Sequence, residues 1–370
     1  MRVAIISKTF VAETAQRQLE WLARQPNLYL TLITPPAWRS DDGRLLPFIP
    51  QFPQGYQVRM LPIVFNGHYH FYLYRGLLRT LRTLAPDIIH IDEEPYNPAG
   101  AQAQRAAQAL RVPTVFVAWQ NLFRVYPLPF AWLERYDYRH MAHLIAGNSG
   151  AGEAARRKGY KGPLSVFSVH GVDPALYHPL PRRERSENDG AFVIGYLGRL
   201  VLYKGTGLLI EALAGLPDFC HLRFIGAGPD AEELRRLAVA NGVAARVEFR
   251  PAVVTRGVPQ ALAELDALAA PSLTQPNWVE QFGRALIEGM ACGVPVVGST
   301  SGEIPQVIGD AGLIIPEGDV AALRAALLAL ATQPARRAEL AQHGRARVLE
   351  RFTQEQVARK LVGVYQKIVG

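Results

Sequence analysis

Short apolar runs alternate along the chain with segments whose apolar residues recur at helical spacing. Residues 3–7 and 29–34 are such runs, and residues 14–24 between them place Leu19 and Leu22 on one helical face. Strands buried in a parallel sheet are almost continuously apolar, whereas a helix packed on a sheet carries one apolar stripe. The chain is therefore predicted to open with a strand, a helix and a second strand.

The same alternation continues to the C-terminus and predicts an α/β protein. Residues 35–57 interrupt it with an irregular stretch rich in Pro and Gly, and the polar residues 180–190 indicate a linker between two domains. The last helix begins at Thr353 and carries an apolar stripe. Further strands are predicted at residues 58–64, 87–92, 114–118, 144–149, 164–169, 192–197, 221–225, 246–249, 267–270 and 294–298, and further helices at residues 75–84, 206–213, 232–240, 261–265, 320–331 and 334–350.

Length and composition are those of an ordinary globular protein. The chain has 370 residues, enough for two or three domains, and is 49% hydrophobic and 19% charged. No apolar run approaches the roughly 20 residues that span a bilayer, and the N-terminal run is too short for a signal peptide. A cytoplasmic location is therefore predicted. Cys220 and Cys292 lie in apolar surroundings typical of reduced structural cysteines.

The formal net charge of +8 favours polyanionic partners such as nucleotide sugars or anionic membranes. Nucleic acid is not expected, because the chain has none of the motifs that bind it. Residues 68–74 are rich in aromatic side chains, and Arg75, Arg79 and Arg82 follow at spacings near one helical face. Such a helix either lies on a membrane or, more commonly, packs on a sheet with a solvated outer face.

The candidate chemistry is densest in residues 280–297, whose pattern predicts a loop, a helix, a turn and a strand. Glu280 lies in the loop, Glu288 lies within the helix, and the free N–H groups around Phe282, Gly283 and Arg284 form an anion-attracting helix start. Carboxylates are suited to binding hydroxyls, so Glu288 is predicted to hold a ribose and Glu280 a sugar ring. Together these groups fit a nucleotide sugar, although two solvated glutamates would be the commoner explanation of isolated residues.

Gly198, Arg199 and Lys204 follow the first strand of the second domain. Lys204 lies close to a helix start, where the helix dipole disfavours a cation unless an anion comes between them. A diphosphate would be that anion. Lys204 is therefore predicted to contact the donor diphosphate, and Arg199 lies in the same loop.

Gly226 and Gly228 form a second glycine-rich turn between a strand and a helix. The turn is predicted to let the backbone approach a nucleotide. It also matches the dinucleotide fingerprint Gly-x-Gly-x-x-Ala, with Glu248 twenty residues beyond Gly228, so an NAD-dependent enzyme is an alternative. However, Glu248 falls within a predicted strand and not at its end.

In the first domain, polar residues follow two predicted strands at their carboxyl ends, where open parallel sheets bind ligands. Glu93 and Glu94 follow one strand, and Gln120 and Asn121 follow the next. These four residues are predicted to contact an acceptor. Lys8 and Glu13 are weaker candidates for the same role, and His90 fits a ligand or a core histidine equally well.

Two Glu separated by seven residues and followed by Met-Ala-Cys-Gly-Val-Pro-Val-Val resemble the signature of the retaining glycosyltransferases of the GT-B fold, in the fourth glycosyltransferase family. The resemblance implies two doubly wound Rossmann-like domains that face a central cleft. Residues 1–180 would bind the acceptor, residues 190–350 the nucleotide sugar, and residues 351–370 would form a helix that returns to the first domain.

The resemblance also implies roles for individual residues. Glu280, Arg199 and Lys204 occupy positions that match the family's catalytic and phosphate-binding residues. The implied reaction moves a sugar from a UDP- or GDP-sugar to a lipid, saccharide or small-molecule acceptor with retention, and no metal ion or other cofactor is expected. A catalytically inactive GT-B protein that binds nucleotides as a scaffold remains an alternative.

Overall fold

Two α/β units make up the protein. The structure is a computed structural model that describes residues 1–40, 43–52, 54–181 and 190–370. Unit 1 comprises residues 1–171 and 354–370, and unit 2 comprises residues 172–353. The predicted linker at residues 180–190 lies mostly outside the described residues.

Unit 1 is built on a parallel sheet of seven strands among the residues described, in the order β11-β10-β9-β8-β1-β2-β5. Two short antiparallel pairs, β3 with β4 and β6 with β7, lie outside this sheet. The strands are β1 (Arg2–Ile6), β2 (Tyr29–Thr34), β3 (Ala37–Arg39), β4 (Leu45–Pro47), β5 (Tyr56–Met60), β6 (Ile63–Val64), β7 (Leu73–Tyr74), β8 (Ile88–Ile91), β9 (Thr114–Ala118), β10 (His143–Ala146) and β11 (Leu164–Val166), and the helices are α1 (Glu13–Ala23), α2 (Leu77–Leu84), α3 (Pro98–Leu110), α4 (Phe130–His140) and α5 (Ser149–Arg157).

Unit 2 repeats this plan with a parallel sheet of six strands within its described part, in the order β14-β13-β12-β15-β16-β17. A 3-10 helix at Leu202–Lys204 precedes its first α-helix. The strands are β12 (Phe192–Leu197), β13 (Cys220–Ile225), β14 (Val247–Arg250), β15 (Ala267–Ala270), β16 (Val296–Ser299) and β17 (Leu313–Ile315), and the helices are α6 (Thr206–Ala214), α7 (Ala231–Ala240), α8 (Val258–Ala263), α9 (Arg284–Ala291), α10 (Ile304–Ile308), α11 (Val320–Thr332) and α12 (Pro334–Arg351).

The C-terminal helix α13 (Gln354–Val369) belongs to unit 1, where it packs on α1. Its Tyr365 hydroxyl lies 2.5 Å from Nδ1 of His90, and both side chains are buried. Burial lowers the pKa of His90 to about 4. His90 is therefore a hydrogen-bonded core histidine and not a ligand.

Two sequence predictions for unit 1 are wrong in detail. The strand predicted at residues 58–64 is two strands, β5 and β6, on either side of Pro62. The helix predicted from Arg75 begins only at Leu77, because Gly76 adopts a left-handed φ of 76° just before it. Arg75 is thus outside the helix. The stretch at residues 35–57, predicted to be irregular, contains the β3–β4 hairpin and the start of β5.

The strand order reverses at one place in each sheet, between β8 and β1 in unit 1 and between β15 and β12 in unit 2. Loops leave opposite faces of the sheet at such a switch point, which opens a crevice at the carboxyl ends of the strands. The loops after β12 and β15 carry Lys204 and Glu280, so the fold of unit 2 places the two main candidates at its switch point.

Candidate functional site

An ion pair joins the loops that follow β12 and β15. Nζ of Lys204 lies 2.6 Å from Oε2 of Glu280, and the two side chains are 25% and 11% exposed. The Ser272 hydroxyl donates to the same carboxylate oxygen at 3.1 Å, and the Gly283 N–H donates to Oε1 at 3.2 Å. Lys204 also lies over the Trp278 ring, 4.5 Å from its centroid. The anion expected beside Lys204 is therefore supplied, in this structure, by Glu280.

Two glycines allow these loops to come together. A Cβ at Gly205, whose φ is 73°, would lie 1.8 Å from the Pro271 carbonyl oxygen, and a Cβ at Gly302, whose φ is 54°, would lie 1.9 Å from the Glu280 carbonyl oxygen. Both the space and the left-handed backbone restrict these positions to glycine. The Glu303 N–H donates to the same Glu280 carbonyl at 3.2 Å, so residues 302 and 303 together hold the backbone that carries Glu280.

Glu288 is buried on α9, one turn after the helix start. Its Oε1 accepts hydrogen bonds from Nε of Arg284 at 2.8 Å and from the Tyr177 hydroxyl at 3.2 Å. Burial raises the pKa of Glu288, and the Arg284 charge opposes this shift. Oε2 accepts no hydrogen bond from the residues that the structure describes. Glu288 is thus held by one oxygen and has the other available to a hydroxyl.

Helix α9 begins where the sequence predicted, although the Gly283 N–H, predicted to be free, donates to Glu280. Gly283 precedes the helix with a left-handed φ of 82°, and the helix begins at Arg284. The Phe282 ring is buried against Phe352, with ring centroids 5.8 Å apart, so this side chain is part of the core of unit 2. The Arg284 side chain is 43% exposed, and its Nε donates to Glu288 four residues later. Tyr177 was not predicted, because nothing in its local sequence connects it to a helix 111 residues away.

The glycines after β12 and β13 serve the packing of these two loops. A Cβ at Gly226 would lie 1.8 Å from the Gly198 carbonyl oxygen, and a Cβ at Gly228 would lie 2.1 Å from the Leu200 carbonyl oxygen. The close approach that requires glycine is therefore between backbones, whereas the sequence prediction placed it against a nucleotide. This packing holds the loop that carries the exposed Arg199, whose side chain makes no hydrogen bond or ion pair with any other described residue.

Glu248, the acid of the NAD alternative, is engaged elsewhere. Its two carboxylate oxygens bind Arg223 and Arg250, each at 2.6 Å. It lies within β14, as the sequence predicted, and not at the end of a strand. The residue that would hold a ribose hydroxyl in a dinucleotide fold is thus committed to two arginines.

In unit 1, the switch point is filled by a buried cation. Nζ of Lys8 lies 2.6 Å from Oε2 of Glu93, whose carboxylate also accepts from the Tyr72 hydroxyl and from the Asn97 amide. The Glu93 side chain is 2% exposed, and burial raises its pKa. The prediction that Glu93 contacts an acceptor is therefore corrected: its oxygens are taken up inside unit 1. Lys8 likewise faces this interior, beside the rings of Trp38, Tyr69 and Tyr72.

Glu94 positions the turn that follows β9. Its Oε1 accepts hydrogen bonds from the backbone N–H groups of Trp119 at 2.7 Å and Gln120 at 3.0 Å. Burial raises the pKa of Glu94 to about 7, although these two donors oppose the shift. Gln120 lies 3.4 Å from the Tyr126 hydroxyl, and Asn121 packs beside Gly150. Three of the four predicted acceptor residues thus meet at the carboxyl ends of β8 and β9. Glu13 is an exposed residue in the first turn of α1.

In the described part of the chain, no group of three or more His, Cys, Asp or Glu residues is placed to hold a metal ion. No helix among these residues is both long enough and apolar enough to cross a membrane. Cys220 and Cys292 are buried and form no disulfide, in agreement with the structural role predicted for them.

Two family models match the chain, one in each unit. Residues 191–333 match the model described as glycosyl transferases group 1, and residues 11–170 match the glycosyl transferase 4-like domain. Each unit thus belongs to a glycosyltransferase domain family, group 1 in unit 2 and the 4-like domain in unit 1. The glycosyltransferase resemblance that the glutamate signature carried is thereby confirmed, and so is the predicted GT-B fold of two doubly wound α/β units, whereas retention of configuration stays a prediction.

Several curated relatives of this glycosyltransferase are named for sugar transfer. A GDP-mannose-dependent monoacylated alpha-(1-6)-phosphatidylinositol monomannoside mannosyltransferase of Corynebacterium glutamicum is 33% identical over 53% of the chain and 54% of its own length. The chain spans about half the length of the first curated relatives it matches. A D-inositol 3-phosphate glycosyltransferase of Stackebrandtia nassauensis is 27% identical over 90% of the chain and 79% of its own length.

Solved structures share the fold of this glycosyltransferase over nearly its whole length. Sucrose-phosphate synthase of Thermosynechococcus elongatus has a TM-score of 0.74 at 20% identity, over 99% of this chain and 98% of that one. The Anabaena protein HepE, solved with UDP and glucose, has a TM-score of 0.74 at 20% identity, over 99% of this chain and all of that one. At 20% identity these matches show a shared fold and nothing more specific.

Proposed function

We propose that this glycosyltransferase moves a sugar from a nucleotide diphosphate sugar to an acceptor with retention of configuration. The observation that carries the proposal is the Lys204–Glu280 ion pair, which lies at the switch point of unit 2 beside the start of α9. A cation, a carboxylate and a helix N-terminus together fit a diphosphate next to a sugar. The HepE structure with UDP and glucose supports a donor of this class.

The site residues divide into two roles in this proposal. Breaking the bond between the sugar and the diphosphate leaves negative charge on the phosphate oxygen. Lys204, Arg199 and the N–H groups at the start of α9 stabilise that charge where it develops. Glu280 binds hydroxyls of the sugar ring, and the available Oε2 of Glu288 binds the ribose. The donor is a UDP- or GDP-sugar.

The acceptor is proposed to be a lipid, a saccharide or a small polar molecule, bound by unit 1. The mannosyltransferase relative is named for a phosphatidylinositol-based acceptor, which supports a lipid. Gln120 and Asn121, on the turn held by Glu94, are the unit 1 residues proposed to bind acceptor hydroxyls. A lipid acceptor would place the enzyme in the cytoplasm, on the inner face of the membrane.

Two alternatives remain to be tested against this proposal. An inactive GT-B scaffold would bind nucleotides without turnover, and an NAD enzyme would use the glycine turn after β13. Glu248 is occupied by two arginines, which disfavours the second alternative. Release of nucleotide diphosphate from a panel of nucleotide sugars separates the scaffold from the enzyme.

Binding of UDP or GDP is expected to stabilise the protein against unfolding. A ligand present at 100 times its dissociation constant raises the free energy of unfolding by about 2.7 kcal/mol, because it binds only the folded state. The melting temperature should be measured with UDP, GDP and NAD in parallel. A rise with NAD and none with either nucleotide diphosphate would contradict the proposal.

Tyr177 is expected to act as a positioning residue for Glu288. Tyr177→Phe removes one of the two hydrogen bonds to Oε1, so the carboxylate becomes less fixed. Affinity for the nucleotide diphosphate should fall by about tenfold, since a hydrogen bond to a charged group contributes roughly 1.5 kcal/mol or more. The turnover at saturating donor should change little. Affinity and turnover are measured separately by calorimetry and by steady-state kinetics.

A matched control is Tyr160→Phe, which removes a buried hydroxyl that donates to the Pro163 carbonyl in unit 1. This variant should lose stability without losing nucleotide affinity. Equal losses of affinity in both variants would show that Tyr177 acts only on the stability of the fold.

A further inference from the structure

The outer helices of unit 1 present cations without exposed acids. Helix α3 packs between α2 and α4, and the only carboxylates on these fully described helices, Glu134 and Asp137, are buried. We call the outer side of the three helices the arginine face. It is defined by five exposed arginines, Arg79, Arg82, Arg105, Arg135 and Arg139.

An open apolar groove of about 620 Å³ runs across the arginine face. It collects residues from all three helices and from β7, and Arg105 lies in its lining. Leu78 lines the groove and is 38% exposed, and Trp132, which precedes the lining residue Leu133 on α4, is 62% exposed. The other apolar residues that line it include Leu73, Pro98, Ala101, Ala106 and Leu133.

More apolar side chains are exposed in the segment that leads into α4. Phe123, Val125 and Leu128 all have large exposed fractions, and the Phe123 ring lies 4.4 Å from the Arg157 guanidinium. Exposed apolar side chains that are grouped, and not scattered singly, mark a contact surface. On the arginine face the lining of the apolar groove includes Arg105 and lies on the helices that carry the other four arginines, so the partner must offer both negative charge and apolar material.

An anionic lipid bilayer offers negative charge at its surface and apolar material just below it. Its phosphates attract arginines, tryptophan favours the boundary between headgroups and acyl chains, and the acyl chains take up aliphatic side chains. Nucleic acid would satisfy the arginines but would leave the aliphatic groove against a polar backbone. The chemistry of the surface therefore favours a membrane.

We propose that the arginine face docks on an anionic bilayer, with Trp132 and Leu78 at the interface and one lipid acyl chain in the groove. This surface is larger than the single helix that the sequence indicated, because α3 and α4 contribute most of the groove. The inference rests on the proposed function in one respect: it names the surface by which the enzyme reaches a membrane that holds its acceptor.

The test measures binding of the full chain to vesicles of phosphatidylcholine with and without phosphatidylglycerol. The double variant Arg79→Glu, Arg82→Glu is compared with the control Arg256→Glu, Arg336→Glu, whose exposed arginines lie in unit 2. Both variants lower the formal net charge from +8 to +4. The first should bind anionic vesicles at least 25-fold more weakly, about fivefold for each arginine. The control should bind nearly as the wild type does.

Trp132→Ser tests the apolar part of the contact. It should weaken binding to anionic vesicles by about tenfold, a loss that added salt does not remove, because burial of an aromatic side chain is not screened. The losses caused by the arginine reversals should shrink as salt is added.

Hydrolysis of donor in solution is measured on every variant, so failure of the membrane proposal can be told from failure of the proposed function. Equal vesicle binding by the two double variants would overturn the membrane proposal while leaving sugar transfer intact. Loss of self-association in the arginine variant, with no vesicle binding by the wild type, would show that the face joins two copies of the chain.

Discussion

Replacing Lys204 by methionine is expected to lower donor turnover by about 100- to 1,000-fold. In the proposed reaction the ammonium group lies where negative charge develops on the leaving diphosphate, and loss of one such group typically has an effect of this size. Methionine keeps most of the side-chain volume over Trp278 and removes the charge. Turnover is measured as release of nucleotide diphosphate in the absence of acceptor.

The ion pair makes Lys204 a structural residue as well, and a control must account for this. Lys158 and Glu134 form a similar ion pair in unit 1, also 2.6 Å long and with both side chains largely buried. Lys158→Met should therefore reduce stability about as much as Lys204→Met does, without the loss of donor turnover. Equal kinetic losses in the two variants would assign the effect of Lys204 to folding.

A variant of Arg199 separates the effect on donor turnover from the effect on stability better than a variant of Lys204 does. Its side chain is exposed and makes no ion pair with the described residues, so Arg199→Ala should change the free energy of unfolding by less than about 0.5 kcal/mol. Its turnover should nevertheless fall if the guanidinium contacts the diphosphate. Unchanged kinetics in Arg199→Ala would show that Arg199 is an ordinary solvated surface charge and does not contact the diphosphate.

Glu280→Gln and Glu288→Gln are expected to affect different measurements. Hydrogen bonds to a charged group contribute roughly 1.5 to 3 kcal/mol, which is about ten- to 150-fold in a binding or rate constant. Glu288→Gln should weaken the affinity for free UDP or GDP by that factor, because the ribose is present in the free nucleotide. Glu280→Gln should leave that affinity nearly intact and depress sugar transfer, because the sugar is absent from the free nucleotide.

Glu248 provides a control for both glutamate variants. Glu248→Gln removes a carboxylate that binds two arginines in the same unit, away from the loops after β12 and β15, and should change neither measurement. If Glu280→Gln costs as much nucleotide affinity as Glu288→Gln, the division between sugar and ribose is wrong.

The apolar periodicity was sufficient to predict the kind and order of most elements. Residues 192–197 and 267–270 were predicted as strands with the bounds that the structure shows, because continuous apolar runs of this length are hidden on both faces of a parallel sheet. The predictions failed where one residue redirects the backbone, as Pro62 does between β5 and β6 and Gly76 does before α2. Such changes depend on local dihedral angles more than on hydrophobic pattern.

Sequence alone also determined the candidate chemistry: two glutamates separated by seven residues around a helix start, with an arginine and a lysine in an earlier loop. Tertiary structure decided which of these groups meet. Lys204 binds Glu280 and Tyr177 binds Glu288 across 76 and 111 residues of chain, and Glu93 turns inward to Lys8. These contacts follow from the order of the strands and from loop backbones that only glycine allows to approach. No local sequence pattern encodes the order of the strands, because each strand has the same kind of apolar sequence whichever neighbour it pairs with.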